Sequence, residues 1–407
     1  MSGKTMSRSS LALNNLRAFV ILLVLSFHSV LAYLKFLPPE PFPFDKPPYL
    51  WSAIPIIDAQ RWFGFDLYCA WQDVFLMSLF FFLSGLFVWP SLRRKGTQTF
   101  VLHRVQRLGV PFALIVVFLM PIALYPTYLQ TASDPSVAAY WRHWLALGFW
   151  PCGPMWFLWL LLVGDFAAAA LHQFAPGLIS LLLRLSSAAN ARPARCCAGF
   201  LLLSTLAYVP MALAFTPSAW TELGPFSLQL SRPLHYALYF FAGVAIGAGG
   251  IEDGLLAADG LLARRWGVCV LAAIGLLLAW MGLTGLTIAQ APSPPVWLQM
   301  LADFSFVVAC FASCLCILAV SVRFAARRLP PLAGLSDNAY GMYLVHYAFV
   351  VWLQFALLGA ALPAIAKGSI VFSGTLLFSW AAIAALRRVP PIGEILGTAR
   401  VRGAAPT

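Results

Sequence analysis

Residues 13–28 read LNNLRAFVILLVLSFH and begin the first long apolar segment of this chain, 16–34. The segment has Arg17 at its start and His28 eleven residues later. Eleven residues are close to three turns of an α-helix, so the two side chains lie on one face, about 16 Å apart along the axis. If this helix crosses a bilayer from the Arg17 end, His28 lies near the midplane, where an ionisable side chain is costly to bury. We interpret His28 as functional; the alternative is a packed histidine that hydrogen-bonds a neighbouring helix.

The composition indicates the class of protein. The chain has 407 residues, of which 61% are hydrophobic and only 10% are charged, whereas an average soluble domain has about 25% charged residues. This predicts an all-α, polytopic integral membrane protein with about ten transmembrane helices. The predicted spans are 16–34, 73–90, 109–128, 154–175, 197–215, 235–250, 266–287, 298–320, 338–358 and 367–386.

The placement of the basic residues predicts how the chain is oriented in the membrane. The formal net charge is +12, and most lysines and arginines fall in the loops of one side. Because basic loops stay in the cytoplasm, we expect both termini there. The charges are split among short loops and form no basic stripe, so we expect no nucleic-acid partner. The loops of the other side hold only Lys35, Lys46, Arg61, Arg142, Arg232 and Lys367.

Two short motifs flank the second and third spans. Arg104 and Arg107 are three residues apart and point the same way on a helix. Their forked donors suit phosphate or carboxylate oxygens, although such a cluster can equally set the topology and contact anionic lipid headgroups. Ser84 and Gly85 lie near the end of the second span, where small residues usually permit close helix packing. The functional alternative is a hydroxyl or backbone group exposed to a substrate cleft.

The ninth span contains a second histidine deep in an apolar segment. Tyr343 and His346 are one helical turn apart, and the chain again enters this span from the predicted cytoplasmic side. Each histidine alone could be a packed residue, but two of them together with inner arginines predict a polar cleft that opens inward. Asp165 and Asp303 also lie in apolar segments, where an acid usually pairs with a cation from another helix.

Tryptophans concentrate on the predicted outer side of the membrane. Amphipathic ring faces suit a partly apolar, hydroxyl-rich ligand such as a sugar, whereas long outer loops also collect aromatic residues for their own packing. The outer tryptophans are Trp51, Trp62, Trp71, Trp141, Trp144, Trp150, Trp220 and Trp297, and Trp156 follows near the start of the fourth span.

Taken in order, these motifs resemble those of membrane acyltransferase family three. The resemblance extends from residue 13 to about 386, and the RLGVP run at 107–111 is closest in appearance to the branch that contains the succinyltransferase of osmoregulated periplasmic glucans. Family members often have an acid near Asn14, and here amides stand at that point. The motifs are Arg17-x10-His28, FFLSG at 81–85, Arg104-x2-Arg107, WFLW at 156–159 and Ser336-x3-Tyr340-x2-Tyr343-Leu344-x-His346.

The resemblance implies an enzyme of the bacterial inner membrane. It would move an acyl group of the acetyl or succinyl class from cytoplasmic acyl-coenzyme A to a hydroxyl of an envelope carbohydrate. We expect one membrane domain, 13–388, between cytoplasmic tails 1–12 and 389–407. We expect no bound cofactor and no metal, since acyl-coenzyme A is a substrate. The partners would be acyl-coenzyme A, the carbohydrate acceptor and the lipid bilayer.

Residue roles follow from this interpretation. Histidine has a pKa near neutrality, so His28 is predicted as the general base that activates the acceptor hydroxyl, and a transient acyl-histidine is an open alternative. A multi-span transporter of an anion or a lipid-linked substrate is the competing hypothesis, because a basic inner mouth also fits it. The predicted catalytic residues are His28, Arg17 and His346, and the predicted substrate-binding residues are Arg104, Arg107, Ser84, Tyr343 and Trp156.

Overall fold

The computed structural model describes residues 7–175, 177–252, 254–327 and 329–389 of the chain. These residues form helices and one antiparallel hairpin, β1 (Trp220–Leu223) with β2 (Phe226–Gln229). The helices are α1 (Arg8–Val30), α2 (Phe63–Gly85), α3 (Val88–Lys95), α4 (Thr97–Arg104), α5 (Val110–Leu114), α6 (Met120–Leu129), α7 (Val137–Ala146), α8 (Trp156–Phe174), α9 (Gly177–Ala191), α10 (Pro193–Phe215), α11 (Pro233–Gly249), α12 (Leu261–Arg264), α13 (Trp266–Ala289), α14 (Val296–Phe324), α15 (Pro330–Ala356) and α16 (Ala364–Leu386).

All ten predicted spans coincide with helical segments. Among the described residues, eight helical stretches are long and apolar enough to cross a membrane. The predicted span 235–250 corresponds to the shorter apolar helix α11, and 338–358 overlaps α15, which ends at Ala356. The molecule is therefore an all-α polytopic membrane protein, as the composition predicts.

The first two spans begin earlier than hydropathy predicts. The Oγ of Ser7 caps α1 by accepting a hydrogen bond from the Ser10 N–H at 3.2 Å, so the helix includes polar residues before 16. Helix α2 begins at Phe63 because its acids are paired: Asp66 accepts backbone N–H groups of the preceding loop, and Asp73 pairs with Arg232. Residues 1–6 and 390–407, in the predicted tails, lie outside the described residues.

The third span is a single helix in which two turns are wider than an α-helical turn. Thr97–Leu129 contains π-helical segments at Val105–Gly109 and Ile115–Leu119. Pro111 and Pro121 follow these segments, and a proline has no N–H for the regular helical hydrogen bond. Because π turns often occur at functional sites, Arg107, which lies within the first one, is a candidate functional residue.

One side of the bundle, which we call the basic face, carries the start of α1 and the end of α14. There Arg8 pairs with Asp259 at 3.2 Å. The side-chain amide of Asn15 donates to the carbonyl oxygens of Ala325 and Arg327, both at 2.8 Å. These bonds tie the segment after α14 to the first helix.

The opposite side, which we call the loop face, is covered by the long loop 34–62. A fully buried ion pair fixes this loop: the Lys367 Nζ lies 2.7 Å from the Asp58 carboxylate. Ser52 connects the loop to the hairpin by donating to Glu222. Burial raises the pKa of Glu222, and hydrogen bonds from Ser227 and Ser52 oppose that shift.

Several of the outer tryptophans pack this cover. Trp51 stacks on Phe44 with ring centroids 4.5 Å apart, and its indole N–H donates to the Phe44 carbonyl oxygen. Trp51 and Trp144 are almost fully buried. For these two residues the loop-packing alternative is correct, and they offer no surface to a ligand.

Helices α2 and α11 approach each other through glycines. A Cβ placed on Gly85 would lie 2.1 Å from the carbonyl oxygen of Phe240, and one on Gly243 would lie 2.1 Å from that of Phe82. Only glycine fits at such a distance, so the backbones touch directly. The predicted packing role of the FFLSG motif is therefore confirmed for Gly85.

Candidate active site

Two histidines from distant parts of the chain meet inside the bundle. His28 lies near the end of α1, and His346 lies within α15. Their ring centroids are 5.1 Å apart, with Nε2 of His346 3.4 Å from Nδ1 of His28. His346 is fully buried and His28 is half-buried. The fold thus brings together two of the three predicted catalytic residues.

Backbone carbonyl groups determine the tautomer that we assign to each ring. Nδ1 of His28 lies 2.9 Å from the carbonyl oxygen of Val24, and Nδ1 of His346 lies 2.6 Å from that of Tyr343. Because a carbonyl oxygen only accepts, each neutral ring carries its proton on Nδ1 and its lone pair on Nε2. The lone pair of His346 faces the Nδ1–H of His28 and supports the same tautomer. Nε2 of His28 has no hydrogen bond to any described residue, so none of these residues uses its lone pair.

Neighbouring residues hold this pair in place. The Tyr343 ring stacks on His346 with centroids 5.7 Å apart, and its hydroxyl donates to the Pro154 carbonyl oxygen at 2.5 Å. The side-chain amide of Gln354 donates to the backbone carbonyl of His28 at 2.9 Å. Tyr347 packs edge-on against His28, with ring centroids 5.6 Å apart. Tyr343 therefore supports the histidines through both its ring and its hydroxyl.

The predicted arginines gather on the basic side of the histidines. The guanidinium carbon of Arg17 lies 3.9 Å from the centroid of the Phe87 ring, and the side chain is solvent-accessible. The charges of Arg104 and Arg107 are close enough to repel that of Arg17. Arg17 makes no ion pair or hydrogen bond with its side chain in the part of the chain that the structure describes. Three cations thus converge on a site where, among the described residues, only Arg104 has an ion-pair partner.

The other two arginines are anchored differently. Arg104 Nε lies 3.3 Å from the carboxylate of Asp165, which is almost fully buried. Arg107 is exposed, its backbone carbonyl accepts a hydrogen bond from the Tyr340 hydroxyl, and its guanidinium carbon lies 5.7 Å from the centroid of the Tyr340 ring. The expected pairing of Asp165 with a cation is confirmed. Each guanidinium keeps N–H donors for an external anion.

One face of α2 and the turn after it connects the arginines to the loop side. Every residue between 73 and 87 is buried except five, which are half-buried: Asp73, Met77, Phe80, Ser84 and Phe87. Their spacing of four, three, four and three residues is that of a single helical stripe. Fourteen residues of helix are about 21 Å long. We interpret this stripe as the wall of a narrow cleft, with Phe87 under Arg17 at one end and Asp73 at the other.

The remaining predicted site residues lie along or beside this cleft. Ser84 is half-buried on the stripe, and its hydroxyl has no hydrogen bond to a described residue. Trp156 packs on Tyr236 and Trp220, with ring centroids 5.9 and 5.7 Å away. It therefore belongs to the surface beside the hairpin and makes no ring contact with the histidine pair.

Sequence reasoning missed some contributors and erred on one. Gln354 and the Asp73–Arg232 pair were not singled out, although a glutamine inside an apolar span and an acid at the edge of one were visible signals. Asp303, expected to pair with a cation, has no ion-pair partner among the described residues, so that prediction is wrong. Within the described ranges, no group of three or more His, Cys, Asp or Glu side chains could hold a metal ion.

Comparison with known proteins shows that nearly the whole chain is similar to one protein family. The family model described as an acyltransferase domain, Acyl_transf_3, matches residues 10–384. No curated protein and no solved structure gives a significant match. The matched region contains every element of the cleft, from Arg17 and His28 to His346. The chain therefore belongs to membrane acyltransferase family three and is an acyltransferase.

Proposed function

We propose that this enzyme transfers an acyl group from cytoplasmic acyl-coenzyme A to a hydroxyl of an envelope carbohydrate, with His28 as the general base. The main support for this proposal is the lone pair on Nε2 of His28, which has no hydrogen bond to a described residue. Its tautomer is set by Val24 and supported by His346, and its side chain is half-buried rather than sealed in the core. A base needs this combination of a fixed ring and an accessible lone pair.

One histidine is sufficient to accept and return the proton in the transfer step. Nε2 of His28 takes the proton of the acceptor hydroxyl as that oxygen attacks the thioester carbonyl. An ester C–O bond forms, the C–S bond breaks, and the proton passes from His28 to the departing sulfur of coenzyme A. His346 and Tyr343 act by positioning, because their polar groups contact His28 and Pro154.

The basic end of the cleft suits the donor. Coenzyme A carries phosphate groups, and arginine binds phosphate through paired N–H donors. Arg17, Arg104 and Arg107 would hold these phosphates, while the pantetheine arm would follow the Phe87, Ser84 and Phe80 side of the cleft toward His28. This assignment places the basic face in the cytoplasm of a bacterial inner membrane, with an acetyl or succinyl donor and a periplasmic glucan as the first acceptor to test.

The test is acyl transfer by the purified protein. Radiolabelled acetyl- or succinyl-coenzyme A is supplied with a glucan, and labelled glucan and free thiol are both measured. We expect label on the glucan with the native protein and none with His28→Ala. The control is His143→Ala, which removes an exposed histidine on α7. Full activity of His28→Ala would disprove the base assignment, and uptake of label into vesicles without a covalent product would favour the transporter hypothesis.

A further inference from the structure

A charged pair lies at the loop-side end of the cleft, away from the donor arginines. Asp73 and Arg232 form two parallel hydrogen bonds: Nη1 to Oδ1 at 3.0 Å and Nη2 to Oδ2 at 2.6 Å. Arg232 is buried, whereas 41% of the Asp73 side chain is exposed. The arginine also lies 5.1 Å from the ring centroid of Phe306. The guanidinium therefore packs against Phe306, while the Asp73 carboxylate stays partly exposed.

The exposure of Asp73 is unusual for its position. Asp73 lies ten residues into α2, about 15 Å from the start of the helix, and is the first residue of the half-buried stripe that ends at Phe87. A purely structural ion pair joining α2 to α11 gains most when both partners are shielded from water. Each oxygen of this carboxylate can accept further hydrogen bonds beyond the one from Arg232.

A chain of contacts connects this ion pair with aromatic rings near the hairpin. Nη1 of Arg232 lies 3.4 Å from the hydroxyl of Tyr236, and Trp156 stacks on that tyrosine at an interplanar angle of 24°. Trp220, on β1 of the hairpin, packs edge-on against Trp156 and is 36% exposed. The carboxylate offers hydrogen-bond acceptors for hydroxyls, and the exposed indole, which is linked to it through Tyr236 and Trp156, offers an apolar face for the C–H side of a second ring.

We propose that Asp73, Arg232, Trp156 and Trp220 form the binding site for neighbouring sugar rings of the acceptor. Asp73 accepts hydrogen bonds from the hydroxyls of one ring, Arg232 holds the carboxylate in place, and Trp220 covers a neighbouring ring. The acceptor approaches from the loop face and the donor from the basic face. This inference rests on the proposed function for the acceptor's class, but it concerns a separate end of the cleft.

Direct binding tests the site without requiring catalysis. A tritium-labelled β-linked glucose oligosaccharide is equilibrated by dialysis with the protein in lipid nanodiscs. We expect Asp73→Asn to weaken binding about tenfold or more, since a hydrogen bond to a charged group is lost. Trp220→Ala should weaken it roughly threefold to tenfold. The matched control is Asp134→Asn, which removes an exposed acid paired at 3.8 Å with exposed Arg142 on the same side.

The outcomes separate this inference from the proposed function. Weaker binding by Asp73→Asn and Trp220→Ala, with Asp134→Asn unchanged, supports the site even if no acyl transfer is detected. If Asp73→Asn does not fold, because Arg232 loses its counter-charge, Trp220→Ala alone decides. Undiminished binding by Trp220→Ala or by folded Asp73→Asn, or absence of oligosaccharide binding by the native protein, overturns it.

Discussion

Replacing Gly85 by alanine should force α2 and α11 apart. The new Cβ would lie 2.1 Å from the carbonyl oxygen of Phe240 and 3.0 Å from the backbone nitrogen of Val244. Close contacts between carbon and carbonyl oxygen are about 3.3 Å, so the helices must separate by about 1.2 Å at this point. Both opposing atoms belong to the backbone, and no flexible side chain can move aside. We expect Gly85→Ala to lower the free energy of unfolding by about 1–3 kcal/mol or more.

Unfolding by sodium dodecyl sulfate in mixed micelles measures this loss. The control is Gly282→Ala on α13, where an added Cβ meets no atom within 4 Å. The control should be as stable as the native protein or slightly more stable, because alanine favours the helix. Gly85→Ala should also weaken binding of the oligosaccharide, because α11 carries Tyr236 and follows Arg232. Equal stability of the two variants would refute the backbone contact between α2 and α11.

Two further variants test the buried ion pair and the donor cations. Lys367→Met leaves the Asp58 carboxylate buried without its cation and should cost about 3–5 kcal/mol of unfolding free energy in the same assay. The double variant with Asp58→Asn should recover most of this loss. Equal stability of the single and the double variant would contradict a buried pair. Arg17→Gln should weaken coenzyme A binding, measured by calorimetry, about tenfold. The free energy of unfolding should not change, because Arg17 has no ion pair among the described residues. Unaltered affinity would remove Arg17 from the donor site.

The sequence was sufficient for the spans, and for the site it supplied candidate residues. Apolar runs of about 20 residues have few alternatives to a membrane helix, so all ten predicted segments correspond to helices. Helical periodicity predicts that Arg17 and His28 share one face, and a histidine inside an apolar span marks His346 as a candidate. That the two rings touch could not be derived, because it depends on how α1 packs against α15.

Other features required three-dimensional information. The tautomer of His28 depends on the distance from Nδ1 to one carbonyl oxygen, which no spacing rule contains. Hydropathy places the start of the second span at Asp73 because the residue is charged, whereas its pairing with Arg232 lets α2 begin earlier and continue through it. The half-buried stripe on α2 became visible only when the burial of each intervening residue was known.

The claim that His28 is the base for acyl transfer is tested most directly with donor and acceptor on opposite sides of a sealed membrane. Inside-out membrane vesicles carry glucan trapped in the lumen, and labelled acyl-coenzyme A is added outside, where the basic face is predicted to lie. We predict that label appears on the luminal glucan with the native protein, falls strongly with His346→Ala, and is absent with His28→Ala. Equal labelling of the luminal glucan by native protein and His28→Ala would contradict a histidine base inside the membrane.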